Sequence, residues 1–322
     1  MNFHVRILAF LLLVTAESAL ARPLIIAHRG ASGHLPDHTL EAYKLAVEQG
    51  ADVIEPDLVA TRDGVLVARH ENNITETTDA SVRFPDRRAT RTIDGKEHTG
   101  WFTEDFTLAE LKTLRARQPL DFRPQEFNGK FEIATFDELL ALIPALEQSS
   151  GRKIGIEPEI KHPSYFRSIG IPLEEPLVEA LDKAGYRDEK SLAFIQCFEV
   201  ESLQKLDEMT GVRLLLLIDG ADEPWLKPAG MAKLKGFADG LGVHKEHLIP
   251  QKEGRWQAPN QVVEQAHQAG LDVHVYTFRD EDRYLSKDDQ GDPLKEYSRF
   301  VALGVDGLFT DFPDTAARSV PP

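Results

Sequence analysis

Cysteine is nearly absent from this chain. Cys197 is the only one in 322 residues, which excludes a disulfide-dense extracellular scaffold. In the stretch SLAFIQCF it reads as a small buried apolar residue, not as a nucleophile. Positive charge is also short: 37 Lys and Arg stand against 53 Asp and Glu, a formal net charge of −16. A basic face is the footprint of nucleic-acid binding, so that class is excluded. Steering to anionic membranes is excluded on the same ground. An anionic substrate would have to be attracted locally, by a metal or by a few Arg and Lys side chains. Collagen-like, coiled-coil and disordered compositions are missing too, and 42% hydrophobic residues suffice for a core.

The first residues form one apolar run. MNFHVR carries Arg6, ILAFLLLVTA follows, and Ala19-Leu20-Ala21 offers a small-x-small cleavage signal. The run is shorter than the roughly 20 residues that a membrane span needs. It predicts a cleaved signal peptide over residues 1–21. With a single cysteine downstream, the expected compartment is the periplasm, with no transmembrane span after cleavage.

After residue 22, short apolar strands alternate with amphipathic helices. Strands are predicted at PLIIAHRG, ADVIEPDLV, KIGIEPEIK, SLAFIQCF, VRLLLLID, ADGLGVHKEHLI, LDVHVYTF and GVDGLFTDF. Helical patterns such as TLEAYKLAVEQG and EEPLVEALDKAGY lie between them. Repeated β-α units with right-handed crossovers force parallel strands. Eight units predict an α/β TIM (β/α)8 barrel, although the pattern alone also allows a doubly wound sheet. Residues 71–134 break the rhythm, being polar and rich in Pro and charge. They are expected to be an insertion after the second strand, within one domain over 22–322, lying at the face that carries the site. Capping boxes are predicted at Thr107–Glu110 and Thr135–Glu138.

Charged residues fall where strands end. His28 and Arg29 close the first strand, Glu55 and Asp57 the second, and Glu157, Glu159 and Lys161 the third. In a barrel the site lies at those carboxyl ends. Residues two apart share a face, so Glu55 pairs with Asp57, and Glu157 with Glu159 and Lys161. Three or four neighbouring carboxylates do not all stay ionised without a cation. Hard oxygen ligands favour Ca²⁺ or Mg²⁺ over zinc. The structural alternative is that the acids are salt-bridged to Arg29 and Lys161. His70 follows a turn at Asp63-Gly64 that returns to the same rim, and with His28 it suits acid-base chemistry on a phosphate ester. Of the other histidines, His38 is read as loop support. His244 and His247 have a metal-pair look but a strand geometry that opposes them, with His247 the better candidate for lining the cleft.

These residues together resemble the glycerophosphodiester phosphodiesterase family, in particular its periplasmic bacterial type. The resemblance rests on IAHRGASGHLPDHT, VIEPDL, LVARHE and GIEPEIK, and extends over FADGLG, HVYTFR and GVDGLFTDFPD. It implies a TIM barrel with His28 and His70 as the acid-base pair. Glu55, Asp57 and Glu159 would bind a divalent cation, typically Ca²⁺, and Arg29 and Lys161 would hold the phosphate. The insertion would cover the glycerol end of a small glycerophosphodiester, which would be cleaved to sn-glycerol 3-phosphate and an alcohol. Glu71 stands where many relatives have Asp. Glu157 is an extra acid, expected to salt-bridge a neighbour sooner than to enlarge the metal site. Tyr276, Trp225 and Trp101 are candidates for the alcohol pocket.

Other classes remain in view. A lysophospholipase D on the same barrel would need an open apolar cleft for an acyl chain. A non-catalytic periplasmic binding protein would be expected to lack a histidine or an acidic ligand. A metal-dependent sugar isomerase draws its ligands from strands spread around the barrel, whereas these cluster on the first three.

Overall fold

The computed structural model describes residues 22–220 and 224–320; the expected signal peptide lies outside them. Eight parallel strands appear: β1 (Leu24–His28), β2 (Val53–Glu55, resuming as Asp57–Ala60), β3 (Gly155–Ile156, resuming as Glu159–Ile160), β4 (Phe194–Cys197), β5 (Arg213–Ile218), β6 (Gly240–His244), β7 (Asp272–Phe278) and β8 (Gly307–Thr310). Each pairs with the next, and Ile25 of β1 registers with Leu308 of β8, so the sheet closes. The two interruptions fall at Pro56 and Pro158, which have no N–H to give a ladder. Their carbonyls still take part, accepting from Glu159 N and Gln196 N at 2.9 Å. The chain therefore passes through both prolines without leaving the barrel.

Eight helices follow the strands in turn: α1 (Leu40–Glu48), α2 (Phe136–Ser150), α3 (Glu174–Ala184), α4 (Val200–Asp207), α5 (Pro228–Leu234), α6 (Val262–Gln268), α7 (Pro293–Leu303) and α8 (Pro313–Ser319). Thr39 caps α1 by accepting from Ala42 N, and the Thr107–Glu110 and Thr135–Glu138 capping boxes are both formed. Helix α3 ends at Gly185, whose φ of +94° favours glycine.

Strand alternation divides the buried side chains into two cores. Ile25, Ala27 and Ile54 face the helices in the main cluster. Ile26, Val53 and Phe309 face inward and fill the barrel. Gly242 on β6 also points inward: a Cβ there would lie 2.3 Å from Leu217 Cδ2, so the missing side chain is what lets Leu217 pack.

The sixth strand ends well short of its predicted extent, because its last residues are helical. β6 stops at His244, and Lys245–Leu248 forms a helical turn capped by the His244 side chain. Residues 71–134 contribute a hairpin, Ala89–Ile93 with Lys96–Gly100, and several single turns. Leu66–Ala68 runs antiparallel on Asp57–Ala60, which delivers His70 to the rim.

Candidate active site

Glu55, Asp57 and Glu159 come together at the carboxyl ends of β2 and β3. Oxygen atoms from the three lie within 4.8 Å of one another, and all three residues are buried. Glu55 Oε1 accepts from Gln196 Nε2 at 3.0 Å, and its Oε2 accepts from the Arg29 backbone N–H at 2.8 Å. Arg29 reaches that position through a left-handed backbone, φ 62°. Asp57 Oδ2 accepts from His38 Nε2 at 3.0 Å and faces Arg29 Nε at 3.2 Å. Lys161 Nζ lies 2.8 Å from Glu159 Oε1.

The cluster is electrostatically tense. Burial, and then the charge of Asp57, push Glu55 well above the usual carboxylate range. Burial also acts on Asp57, but His70, Arg29, His38 and Lys161 outweigh it and hold Asp57 well below that range. Burial lifts Glu159 to about 8, with Lys161 opposing and Asp57 reinforcing. Neutral pH therefore leaves a proton among the three acids. Three carboxylates against Arg29 and Lys161 sum to −1. A divalent cation would bring the group to +1, and a phosphodiester to zero. The all-oxygen donor set fits such an ion.

The two predicted histidines flank this cluster. His28 Nδ1 lies 2.6 Å from Asp311 Oδ1. Burial and the nearby Arg29 charge bring His28 down to about 4, against the pull of Asp311. Burial pushes Asp311 up, but its cationic neighbours hold it well below the usual range. Arg123 Nη2 at 2.6 Å and Arg279 Nε at 2.9 Å supply charge that does not depend on His28. The pair is therefore a carboxylate and a neutral imidazole that donates Nδ1–H, leaving Nε2 as a free base toward the cleft. His70 Nδ1 lies 3.0 Å from Glu71 Oε1, and burial with Arg29 brings this imidazole to about 4 as well. Glu71 Oε2 faces His162 Nε2 at 2.8 Å, and His162 Nδ1 faces Asp94 Oδ2 at 2.6 Å.

A cavity of about 260 Å³ sits over the barrel mouth, lined by His28, Arg29, Glu55, His70, Glu159 and Lys161 together with Phe198, Tyr276, Arg279 and Phe309. Six of the seven predicted site residues thus line one cavity, and Asp57 lies buried beside it. The salt-bridge alternative for Arg29 and Lys161 is also visible, since both pair with the acids.

Other expectations need correction. His244 lines the cavity, not His247, because the chain turns helical after β6 and carries His247 off the rim. Among the described residues that pair belongs to no metal-competent group. Trp101 is buried in the 71–134 segment with Nε1 donating to Phe84 O, and Trp225 packs edge-on against Phe237. Of the three aromatic candidates only Tyr276 lines the cavity. Glu157, by contrast, does what was expected of it: it pairs with a neighbour, His274 Nδ1 at 2.9 Å, inside the barrel and outside the acid cluster. His38 does more than support a loop, since it bonds Asp57 and, through Nδ1, Tyr43 Oη at 2.8 Å. Sequence reasoning does not single out Asp311, Gln196 or Arg279. Alternation from Phe309 and Phe194 could have pointed Asp311 and Gln196 inward. No local signal marks Arg123.

A closed eight-stranded barrel with acids, imidazoles and cations gathered at the carboxyl rim is a TIM-barrel hydrolase. The sequence model described as "Glycerophosphoryl diester phosphodiesterase family" matches residues 28–315, and the chain belongs to that family. A glycerophosphodiester phosphodiesterase of Arabidopsis thaliana is 39% identical over 317 residues, spanning 91% of this chain and 84% of that protein. One from Haemophilus influenzae is 31% identical, spanning 92% and 89%. A solved Oleispira antarctica phosphodiesterase, in complex with the product sn-glycerol-3-phosphate, shares the fold at a TM-score of 0.64 and 21% identity. That alignment covers 92% of this chain and 96% of that one.

Proposed function

We propose that this protein, one domain over residues 22–322, is an exported, divalent-metal-dependent enzyme that cleaves glycerophosphodiesters to sn-glycerol 3-phosphate and an alcohol. The observation that carries the reading is the placing of two imidazoles, each with Nδ1 on a carboxylate, beside three converging acids and two cations. Glu55, Asp57 and Glu159 would hold the ion, with Ca²⁺ favoured by the flexible all-oxygen set and Mg²⁺ the alternative. Bound there, the ion would neutralise charge on the phosphoryl oxygens.

The remaining chemistry belongs to the side chains. Arg29 and Lys161 orient the phosphate and offset its charge. His28 presents Nε2 over the barrel-mouth cavity and takes a proton from the attacking oxygen, either a glycerol hydroxyl or water. His70, which is neutral without substrate, takes up a proton from solvent as the anionic diester binds beside it, and gives that proton to the departing alcohol. Phe198, Tyr276 and Phe309 make the barrel-mouth cavity small and partly apolar. That suits the carbon skeleton of glycerol, so we place the glycerol there and not under the 71–134 segment as the family resemblance implied. The same small volume disfavours an acyl chain and with it the lysophospholipase D reading. The N-terminal apolar run supports export to the periplasm, which N-terminal sequencing of the secreted protein would test.

The deciding experiment follows release of sn-glycerol 3-phosphate from glycerophosphocholine with Ca²⁺, with EDTA, and with His28→Ala. Turnover lost in both EDTA and the variant is expected. A folded protein that binds Ca²⁺ and hydrolyses no glycerophosphodiester would favour a binding protein instead.

A further inference from the structure

A row of polar contacts runs from the tip of the Ala89–Gly100 hairpin to the proposed proton donor. Asp94 and Gly95 form the hairpin's two-residue turn, with φ of 49° and 75°. Asp-Gly turns of this kind suit the twist of the flanking strands. The turn sets Asp94 Oδ2 at 2.6 Å from His162 Nδ1. His162 follows Lys161 at the end of β3, and its other ring nitrogen, Nε2, lies 2.8 Å from Glu71 Oε2. The remaining oxygen of Glu71, Oε1, lies 3.0 Å from His70 Nδ1.

Two features mark His162 as built for this place. A neutral imidazole has one N–H and can serve only one of two carboxylates, whereas the imidazolium serves both. Burial opposes that charge, but Glu71 and Asp94 outweigh it and raise the ring above its ordinary value. The backbone of His162 is also left-handed, φ 50°. Residues other than glycine hold that conformation where surrounding contacts impose it.

Building on the glycerophosphodiester reading, we propose that His162 is a positioning residue for the reaction. Held between Asp94 and Glu71, it fixes Glu71 on Nδ1 of His70 and so aims Nε2 of His70 at the departing oxygen. Glu71 needs such an anchor. Its side chain is 44% exposed, and a long side chain in solvent has rotamer freedom that a single bond to His70 would have to overcome alone. With Oε2 tied to His162, Oε1 stays on His70. Charge agrees with this role. Asp94, His162 and Glu71 sum to −1, and the proton that His70 takes up brings the row to zero. Asp94 thereby links the hairpin to proton transfer, although no hairpin residue lines the barrel-mouth cavity.

The test compares glycerophosphocholine with the p-nitrophenyl diester of glycerol 3-phosphate. The choline oxygen needs a proton to depart, whereas p-nitrophenolate leaves without one, so only the first substrate reads the general acid. Both variants suit their backbones: glycine is at ease at the φ of His162 in His162→Gly, and Asp94→Asn keeps a residue that the turn accepts. His162→Gly should lower kcat on glycerophosphocholine by about 10-fold, a share of the 10²–10⁴ that a placed general acid contributes. KM should change little, and the loss on the p-nitrophenyl diester should stay within about twofold. Asp94→Asn should lower kcat in the same selective way by about 1.5- to 5-fold, the range of one solvent-screened contact, and decides the matter if His162→Gly does not fold. Variants that keep wild-type kcat on glycerophosphocholine, or that lose equally on both diesters, would overturn the assignment while the proposed function stands. A wild type that hydrolyses no glycerophosphocholine would overturn both.

Discussion

Replacing Asp311 with Asn removes one charge at constant shape and leaves three donors facing an amide. Asp311 accepts from His28 at 2.6 Å on one oxygen, and from Arg123 at 2.6 Å and Arg279 at 2.9 Å on the other. An amide has one acceptor and one donor end. With its NH₂ toward the arginines, two donors confront a donor. With its NH₂ toward His28, the imidazole must move its proton to Nε2, and the base facing the cleft becomes a donor. A hydrogen bond to a charged group contributes about 1.5–3 kcal/mol. At about 1.4 kcal/mol per tenfold, the loss corresponds to about 10- to 150-fold in kcat/KM. The loss should lie in kcat, because Asp311 acts through His28. Arg123 keeps Glu281 at 2.7 Å, so the fold should survive with a melting temperature lower by a few degrees. The assay is steady-state hydrolysis of glycerophosphocholine, with circular dichroism melting as the control. Activity within about threefold of wild type would refute the assignment of Asp311 as the residue that positions His28.

Two further outcomes concern stability. The His28 value of about 4 lies below the unfolded value of about 6.5, so the unfolded chain binds the proton first as pH falls. The stability tied to this group is complete above pH ~6.5 and is lost on the way down to pH ~4, in total about 3 kcal/mol. His28→Asn should flatten the unfolding free energy across that window by a similar amount in urea titrations with EDTA, and an unchanged slope would mean that His28 is not a buried neutral imidazole. Calcium at a hundred times its dissociation constant should stabilise the wild type by about 2.7 kcal/mol, and Asp57→Asn should lose most of this gain. The absence of any melting shift at millimolar Ca²⁺ would argue against metal binding by Glu55, Asp57 and Glu159.

Much of the site is legible in the chain because strand geometry is local. Alternation alone puts Glu55 with Asp57 on one face, and the same rule puts Glu159 with Lys161. The parallel β-α rhythm then sends all of these strand ends to one rim. The end of β6 is not legible in the same way, because HKEHLI carries enough apolar residues to pass for strand. The His244 cap on Glu246 N–H is instead a tertiary-scale choice of backbone path. Glu157 shows a different limit. It shares a face with Glu159, yet lies one rung deeper, where His274 waits across the barrel.

The sequence by itself determined the strand count, which residues share a face and the seven residues at the rim, since each depends on backbone geometry and spacing within a few residues. Only the closed barrel decided what those residues touch. Asp311 is 283 positions from His28, and Arg123 is 188 positions from Asp311. Closure of β8 onto β1 brings the first pair together, and the fold of residues 71–134 over the rim brings the second. Proton positions depend on those contacts, because burial and neighbouring charge set which of His28, Asp311 and Glu159 carries a proton.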